Sequence, residues 1–126
     1  MFLEERHHEL AASVRRFADE AIAPIEHRED DVDELARTIL RKLGEAGILR
    51  HAVPAVEGRP VEVRALCAIR ETLAWRMGLA DFCFAMQGLG TYPIVLAGSE
   101  AQKARYLPGA AAGALPAAFA LTQPAA

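Results

Sequence analysis

From Phe82 to Ala97 the chain runs without a single charged side chain. Such a stretch has to be covered, because leaving apolar surface in water costs about 25 cal/mol for each Å². The run is interrupted by Gln87, Gly88, Gly90, Thr91 and Pro93 and falls short of the roughly 20 residues that span a bilayer. It therefore reads as a buried helix at the centre of a bundle, with no membrane insertion. Its Gly-Leu-Gly-Thr-Tyr-Pro stretch predicts a break or restart around Thr91.

The remaining segments supply helices to pack around it. Leu10, Val14, Phe17 and Ile22, with Ala18 and Ala21, share one face of a first helix, while Arg6, Glu9, Arg16, Asp19 and Glu20 take the wet face. Pro24 should stop or kink that helix, since it has no N–H for the ladder. Glu29, Asp30, Asp31, Asp33 and Glu34, followed by Arg37, Arg41 and Lys42, match the dipole of a second helix whose buried stripe is Leu35, Ile39, Leu40 and Leu43. Gly44 and Gly47 offer C-terminal caps, and residues 51–60 are a turn-forming connection. A third helix is predicted from about Val61 to Met77, with Leu66, Ile69, Leu73 and Met77 at helical spacing and Gly78 as its stop. The central helix then starts near Asp81. Ser99 to Gln102 has the form of a capping box opening a short helix that ends before Pro108. Beyond it the sequence turns small and flexible, with Ala117 to Leu121 as a candidate strand. The fold class that follows is all-α: an up-and-down helical bundle of about five helices with a short extended C-terminal tail.

With 126 residues, 52% of them apolar, the chain holds enough material for one core. Its 14 basic and 17 acidic residues leave no electrostatic footprint for nucleic acid or an anionic membrane surface. Cys67 and Cys83 lie in apolar helical pattern, as small buried hydrophobes do. The charged N-terminus lacks the apolar run of a signal peptide, which places the chain in the cytoplasm with reduced thiols. His7, His8, His27 and His51 fall in polar stretches expected to be exposed, with no ligand spacing, so no metal site is expected. Glu71 sits among apolar neighbours of the third helix, where burial would raise its pKa. Pairing with an arginine such as Arg70 or Arg76 explains it better than a tuned base, and no catalytic residue is nominated.

The order of these patterns resembles the N-terminal region of the acyl-CoA dehydrogenase family over nearly the whole chain. The resemblance rests on the first helix with Phe17 and Pro24, on Leu43-Gly-Glu-Ala-Gly-Ile-Leu49 followed by Val53-Pro54, and on Ile69-Arg-Glu-Thr-Leu73. Its most specific block is Tyr92-Pro-Ile-Val-Leu-Ala-Gly-Ser-Glu-Ala-Gln-Lys-Ala-Arg-Tyr-Leu-Pro108. Ala118-Phe-Ala-Leu-Thr-Gln-Pro-Ala-Ala126 is similar to the segment that opens the family's middle β-domain, with Gln123 where the family usually has glutamate. The corner after Val53 also lacks the family's paired glycines.

The resemblance implies residues 1–108 as the helical domain and 109–126 as the linker and first strand of a β-domain that is not present. It implies FAD-dependent α,β-dehydrogenation of acyl-CoA in a complete enzyme, reoxidised by an electron-transfer flavoprotein and assembled as a homo-oligomer. The catalytic glutamate belongs to a C-terminal domain absent here, so this chain is expected to be inactive alone and to bind no FAD stably. By motif position, Phe119, Leu121 and Thr122 correspond to residues along the flavin ring. Ala85, Met86, Leu89 and Gly90 resemble the wall of the acyl-chain pocket. The rival expectation is a non-catalytic association module derived from the same family.

Overall fold

The computed structural model describes residues 2–28 and 31–122. Helix α1 (Glu5–Phe17) opens with His7 Nδ1 accepting the backbone N–H of Glu4 at 2.9 Å. After Phe17 the ladder widens into a π turn, Ala18–Ile22, and then tightens into a 3₁₀ turn, Ala23–Ile25, that carries Pro24. The expected stop at the proline is thus spread over the preceding turn.

Helix α2 (Val32–Glu45) is capped by Asp31, whose carboxylate accepts the N–H groups of Asp33 and Glu34 at 3.0 Å each. Glu29 and Asp30, the start of the acidic run, lie outside the described residues. Leu35, Ile39, Leu40 and Leu43 are buried as their spacing requires. Gly47, at φ 73°, closes the helix in a Schellman turn: Ile48 N–H reaches Leu43 O at 3.0 Å and Gly47 N–H reaches Gly44 O at 2.9 Å. Gly44 is not a cap. It lies inside α2, where a Cβ would collide with the carbonyl of Ala112.

A single-turn helix α3 (Leu49–Ala52) and a 3₁₀ turn, Pro54–Glu57, lead to α4 (Val63–Arg76). Met77 alone, in extended conformation, separates α4 from α5 (Gly78–Ala97). Gly78 therefore opens the central helix instead of ending the third, and α5 begins before Asp81. Nor does α5 break at Thr91: it runs 20 residues with Pro93 inside it. Proline removes only the ladder bond to the residue four before it, here Leu89, and the rest of the ladder holds. Among the described residues, α5 is the helix long and apolar enough to cross a membrane by length and composition.

Ser99 and Gln102 form the expected capping box of α6 (Glu100–Ala111), with Ser99 N–H to Gln102 Oε1 at 2.8 Å and Gln102 N–H to Ser99 Oγ at 3.2 Å. This helix also passes its proline, Pro108, and ends three residues later in a second Schellman turn. There Gly113 (φ 72°) donates to Ala110 O and Ala114 donates to Gly109 O. The all-α bundle stands, with six α-helices where about five were expected and no strand among the described residues. Ala117 to Leu121, the candidate strand, has no regular secondary structure, and its first two residues lie against helix α5.

His7 faces Glu62 at one end of α1, and Arg15 lies over the Trp75 ring at the other, so α1 and α4 run side by side in the same direction. Arg70 faces Asp81, and Gln87 faces Ala110, so α4, α5 and α6 alternate in direction. Helix α5 packs against α2, α3, α4 and α6, and its Phe84 joins Ile39, Leu43, Leu49, Ile69 and Leu73 in the core. The expectation that α5 is buried all round fails. Its neighbours cover one face, leaving Phe82, Leu89 and Leu96 between 52% and 67% exposed on the other.

Candidate functional site

The exposed stripe of α5 follows from helical spacing. Phe82, Leu89 and Leu96 repeat every seven residues, two turns apart, and Ala85 lies on the same side. Beside the stripe, between α5, α4 and the α3 connection, is a cleft of about 340 Å³ lined by Leu66, Phe84, Ala85, Gly88, Leu89 and Tyr92 among others. Its one charged group, Arg70, is held by Asp81 through two bonds of 2.8 and 2.9 Å. That hydrogen bond raises the Arg70 pKa above its ordinary value, fixing the cation at the rim. The walls are otherwise apolar, a surface suited to methylenes and unsuited to a charged head group.

Of the residues nominated as a pocket wall, Ala85 and Leu89 share this cleft. Met86 and Gly90 do not. They sit farther round α5, and Gly90 meets the extended segment after α6: a Cβ on it would lie 2.8 Å from both the N and the O of Ala118. The nominated flavin-edge residues Phe119, Leu121 and Thr122 follow on that segment, all exposed. Gly90 thus joins two groups of residues that the sequence left separate.

What holds the segment there is a residue that sequence reasoning passed over as a mere interruption of the apolar run. Gln87 is 1% exposed, and its amide is spent entirely on backbone. Nε2 donates to Ala110 O at 2.8 Å and to Leu115 O at 3.1 Å, and Oε1 accepts the Ala117 N–H at 2.6 Å. The signal was available: a lone amide in an apolar helix must find partners, since a buried polar group without them costs about 1–3 kcal/mol.

Several polar expectations are corrected. His7 is buried, with Nδ1 on the Glu4 N–H and Nε2 2.8 Å from Glu62 Oε1, because it occupies the first turn of α1 against the start of α4. Arg6 bridges Glu4 and Glu62 at 2.8 and 2.7 Å, and Arg64 reaches Glu4 at 2.7 Å. Hydrogen bonds from Arg6 to Glu4, and from His7 to Glu62, hold both carboxyls below their ordinary pKa. Glu71 is exposed, not buried: it lies on the outer side of α4, and the arginines offered as its partners are engaged by Asp81 and Glu26. Cys67 is exposed too, on the wet side of α4. Cys83 alone is buried, and burial pushes its thiol pKa up to about 11.

These features define a class first: a helical domain that presents a dry, uncharged wall from one central helix and holds an extended segment against it. Residues 4–114 match the acyl-CoA dehydrogenase N-terminal domain, and the chain belongs to the acyl-CoA dehydrogenase family. It is 34% identical to a probable acyl-CoA dehydrogenase of Bacillus subtilis (strain 168), over 95% of this chain and 20% of that protein. It is 32% identical to a 3-(aryl)acrylate reductase of Clostridium sporogenes (strain ATCC 15579), over 100% of this chain and 34% of that one. A probable acyl-CoA dehydrogenase of Mycobacterium leprae (strain TN) is 34% identical over 96% of this chain and 31% of its own length. The chain thus spans between a fifth and about a third of these relatives' length. Enzymes of the family are generally FAD-dependent.

Proposed function

We propose that this domain supplies one wall of an acyl-CoA site and one edge of a flavin site in an FAD-dependent α,β-dehydrogenase. The observation that carries the reading is the meeting of two features at one helix. The uncharged outer face of α5, with Ala85 and Leu89 on its cleft, lies one turn from Gly90, where the segment leading to Phe119 crosses.

The residues fit part of the cofactor. Exposed extended backbone and the Thr122 hydroxyl offer hydrogen-bonding groups suited to the edge of a planar ring, and Phe119 offers it an apolar flank. Among the described residues nothing resembles a cradle for its diphosphate, such as a glycine-rich loop between a strand and a helix. When bound, the flavin accepts the β-hydride of the acyl group. The chain's own part is passive: Ala85 and Leu89 exclude water from the acyl chain, Gly90 seats the segment after α6, and Phe119, Leu121 and Thr122 orient the ring. Among the described residues no carboxylate lines the cleft to take the α-proton, so on this reading the base is supplied from outside this domain, with no turnover by the chain alone. Acyl-CoA, an electron-transfer flavoprotein, a homo-oligomeric assembly and a cytoplasmic setting belong to the same proposal.

Two measurements on the purified chain test it. Titration with octanoyl-CoA should move the amide resonances of Ala85 and Leu89, where CoA without the acyl group does not; equal responses to the two would sink the acyl-wall reading. After incubation with FAD and gel filtration, the chain should emerge colourless. Stoichiometric retention of yellow flavin would show a complete flavin site and overturn the single-edge reading.

A further inference from the structure

Deepening that reading and resting on it, we infer that Gln87 is a positioning residue: it fixes the register between the acyl wall on α5 and the flavin-edge segment that begins at Phe119. The amide carries instructions for three separate backbone groups. Its two N–H bonds go to Ala110, inside the last turn of α6, and to Leu115, just beyond the Schellman turn, while its oxygen takes the N–H of Ala117. One side chain thus gathers the end of α6, the turn and the start of the segment onto α5. Only a primary amide does this at neutral pH, because the site demands two donors and one acceptor at the tip of one side chain.

Gly90 supplies the second fixed point. One turn along α5 from Gln87, its bare Cα admits the backbone of Ala118, so the segment is pinned at Ala117 by a hydrogen bond and at Ala118 by close approach. Phe119 is the next residue. Because Ala85 and Leu89 flank Gln87 by two positions on either side of the same rigid helix, the spacing of acyl wall and flavin edge is set by the geometry of α5 rather than by the loop. A pocket in which a hydride crosses from substrate to ring needs that spacing held, since small misplacements of reacting groups cost large factors in rate.

The substitution Gln87→Glu separates this role from volume alone. Ionised, the new carboxylate faces the Ala110 and Leu115 carbonyls and repels both; protonated, it recovers one donor and the acceptor for Ala117. Deuterium exchange at the Ala117 amide, followed on the whole 126-residue chain, should therefore accelerate at least tenfold in Gln87→Glu at pH 8 and return toward the parent rate, corrected for intrinsic exchange, near pH 4.5. Gln87→Met, of similar volume and without the amide, should show the fast exchange at both pH values while α1 to α4 stay protected. Unchanged protection of Ala117 in Gln87→Met, or the same exchange in Gln87→Glu at both pH values, would overturn the assignment.

A second arm reads the flavin edge itself. Millimolar riboflavin should shift the amides of Phe119, Leu121 and Thr122 in the parent chain and not in Gln87→Glu at pH 8, with the shifts restored near pH 4.5. Shifts that persist in Gln87→Glu at pH 8 would refute the positioning role and leave the flavin edge standing. Absence of shifts in the parent chain would instead remove the flavin edge, and the exchange arm would still decide whether Gln87 holds the segment.

Discussion

Two glycines with nearly the same backbone angle differ in what surrounds them, and that difference sorts strain from packing. Gly47 and Gly113 both adopt left-handed φ, 73° and 72°, at the ends of α2 and α6. Nothing lies within 4 Å of a Cβ on Gly47, whereas one on Gly113 would drive into the backbone carbonyl of Leu40. Gly47→Ala should therefore lose only the conformational penalty, about 1–2 kcal/mol. Gly113→Ala adds a backbone collision that no side-chain rotation relieves, and it should lose about 3 kcal/mol or more, at the upper end of what single changes do. Urea unfolding of both variants checks this, and equal losses would contradict the tight α2–α6 junction. The thiols give a second residue-scale prediction. Exposed Cys67 should react with a disulfide reagent at pH 8 at least tenfold faster than Cys83, which is buried with its pKa pushed to about 11 and so forms almost no thiolate. Denaturant should abolish the difference.

At the scale of elements, the parallel pair α1 and α4 is joined at its N-terminal end by Glu4, Arg6, His7, Glu62 and Arg64. Both glutamates have folded pKa values below the ordinary 4.5, so the folded state holds their charged forms more firmly than the unfolded chain does. Their stabilisation is thus complete above about pH 4.5 and fades as pH falls through the lower folded values. The urea midpoint should drop between pH 6 and pH 3, and Glu62→Gln, which keeps an acceptor for His7 Nε2 but has no charge to lose, should flatten that drop. A variant as acid-sensitive as the parent would place the effect elsewhere. The elements show what sequence could and could not carry. Ser99 with Gln102 and the stripe from Leu35 to Leu43 act locally, so spacing and side-chain chemistry revealed them, while the acidic run marked the start of α2 without singling out Asp31 as its cap. The ends of α5 and α6 did not yield to the same reasoning, because a proline within a packed helix removes one bond while tertiary contacts hold the rest. The partners of Gln87, and the Glu62 carboxylate beside His7, lie 23 or more residues away in sequence, beyond the reach of any local pattern. The acyl-wall nomination rested on resemblance, which names four residues of α5, whereas only the neighbouring helix and segment decide that Ala85 and Leu89 share a cleft and Gly90 serves another contact.

For the whole molecule, the outer face of α5 sets the behaviour in solution. A helix of 20 residues is about 30 Å long and presents a strip about 10 Å wide, roughly 300 Å². That is well under the approximately 800 Å² per partner of a stable protein interface. Pairing of two chains through Phe82, Leu89 and Leu96 should therefore be real but weak, with a dissociation constant of about 10 μM or more, and visible as concentration-dependent mass in light scattering. Leu89→Lys puts a charge in the middle of the strip and should abolish the association with little loss of fold, because Leu89 is half exposed. Since the same face is the proposed acyl wall, octanoyl-CoA should compete with pairing and shift the population toward monomer, while CoA without an acyl group should not. A chain that stays monomeric at millimolar concentration would mean that the exposed stripe does not drive association. Pairing that survives Leu89→Lys would move the contact to another surface, and pairing indifferent to octanoyl-CoA would detach it from the proposed acyl site.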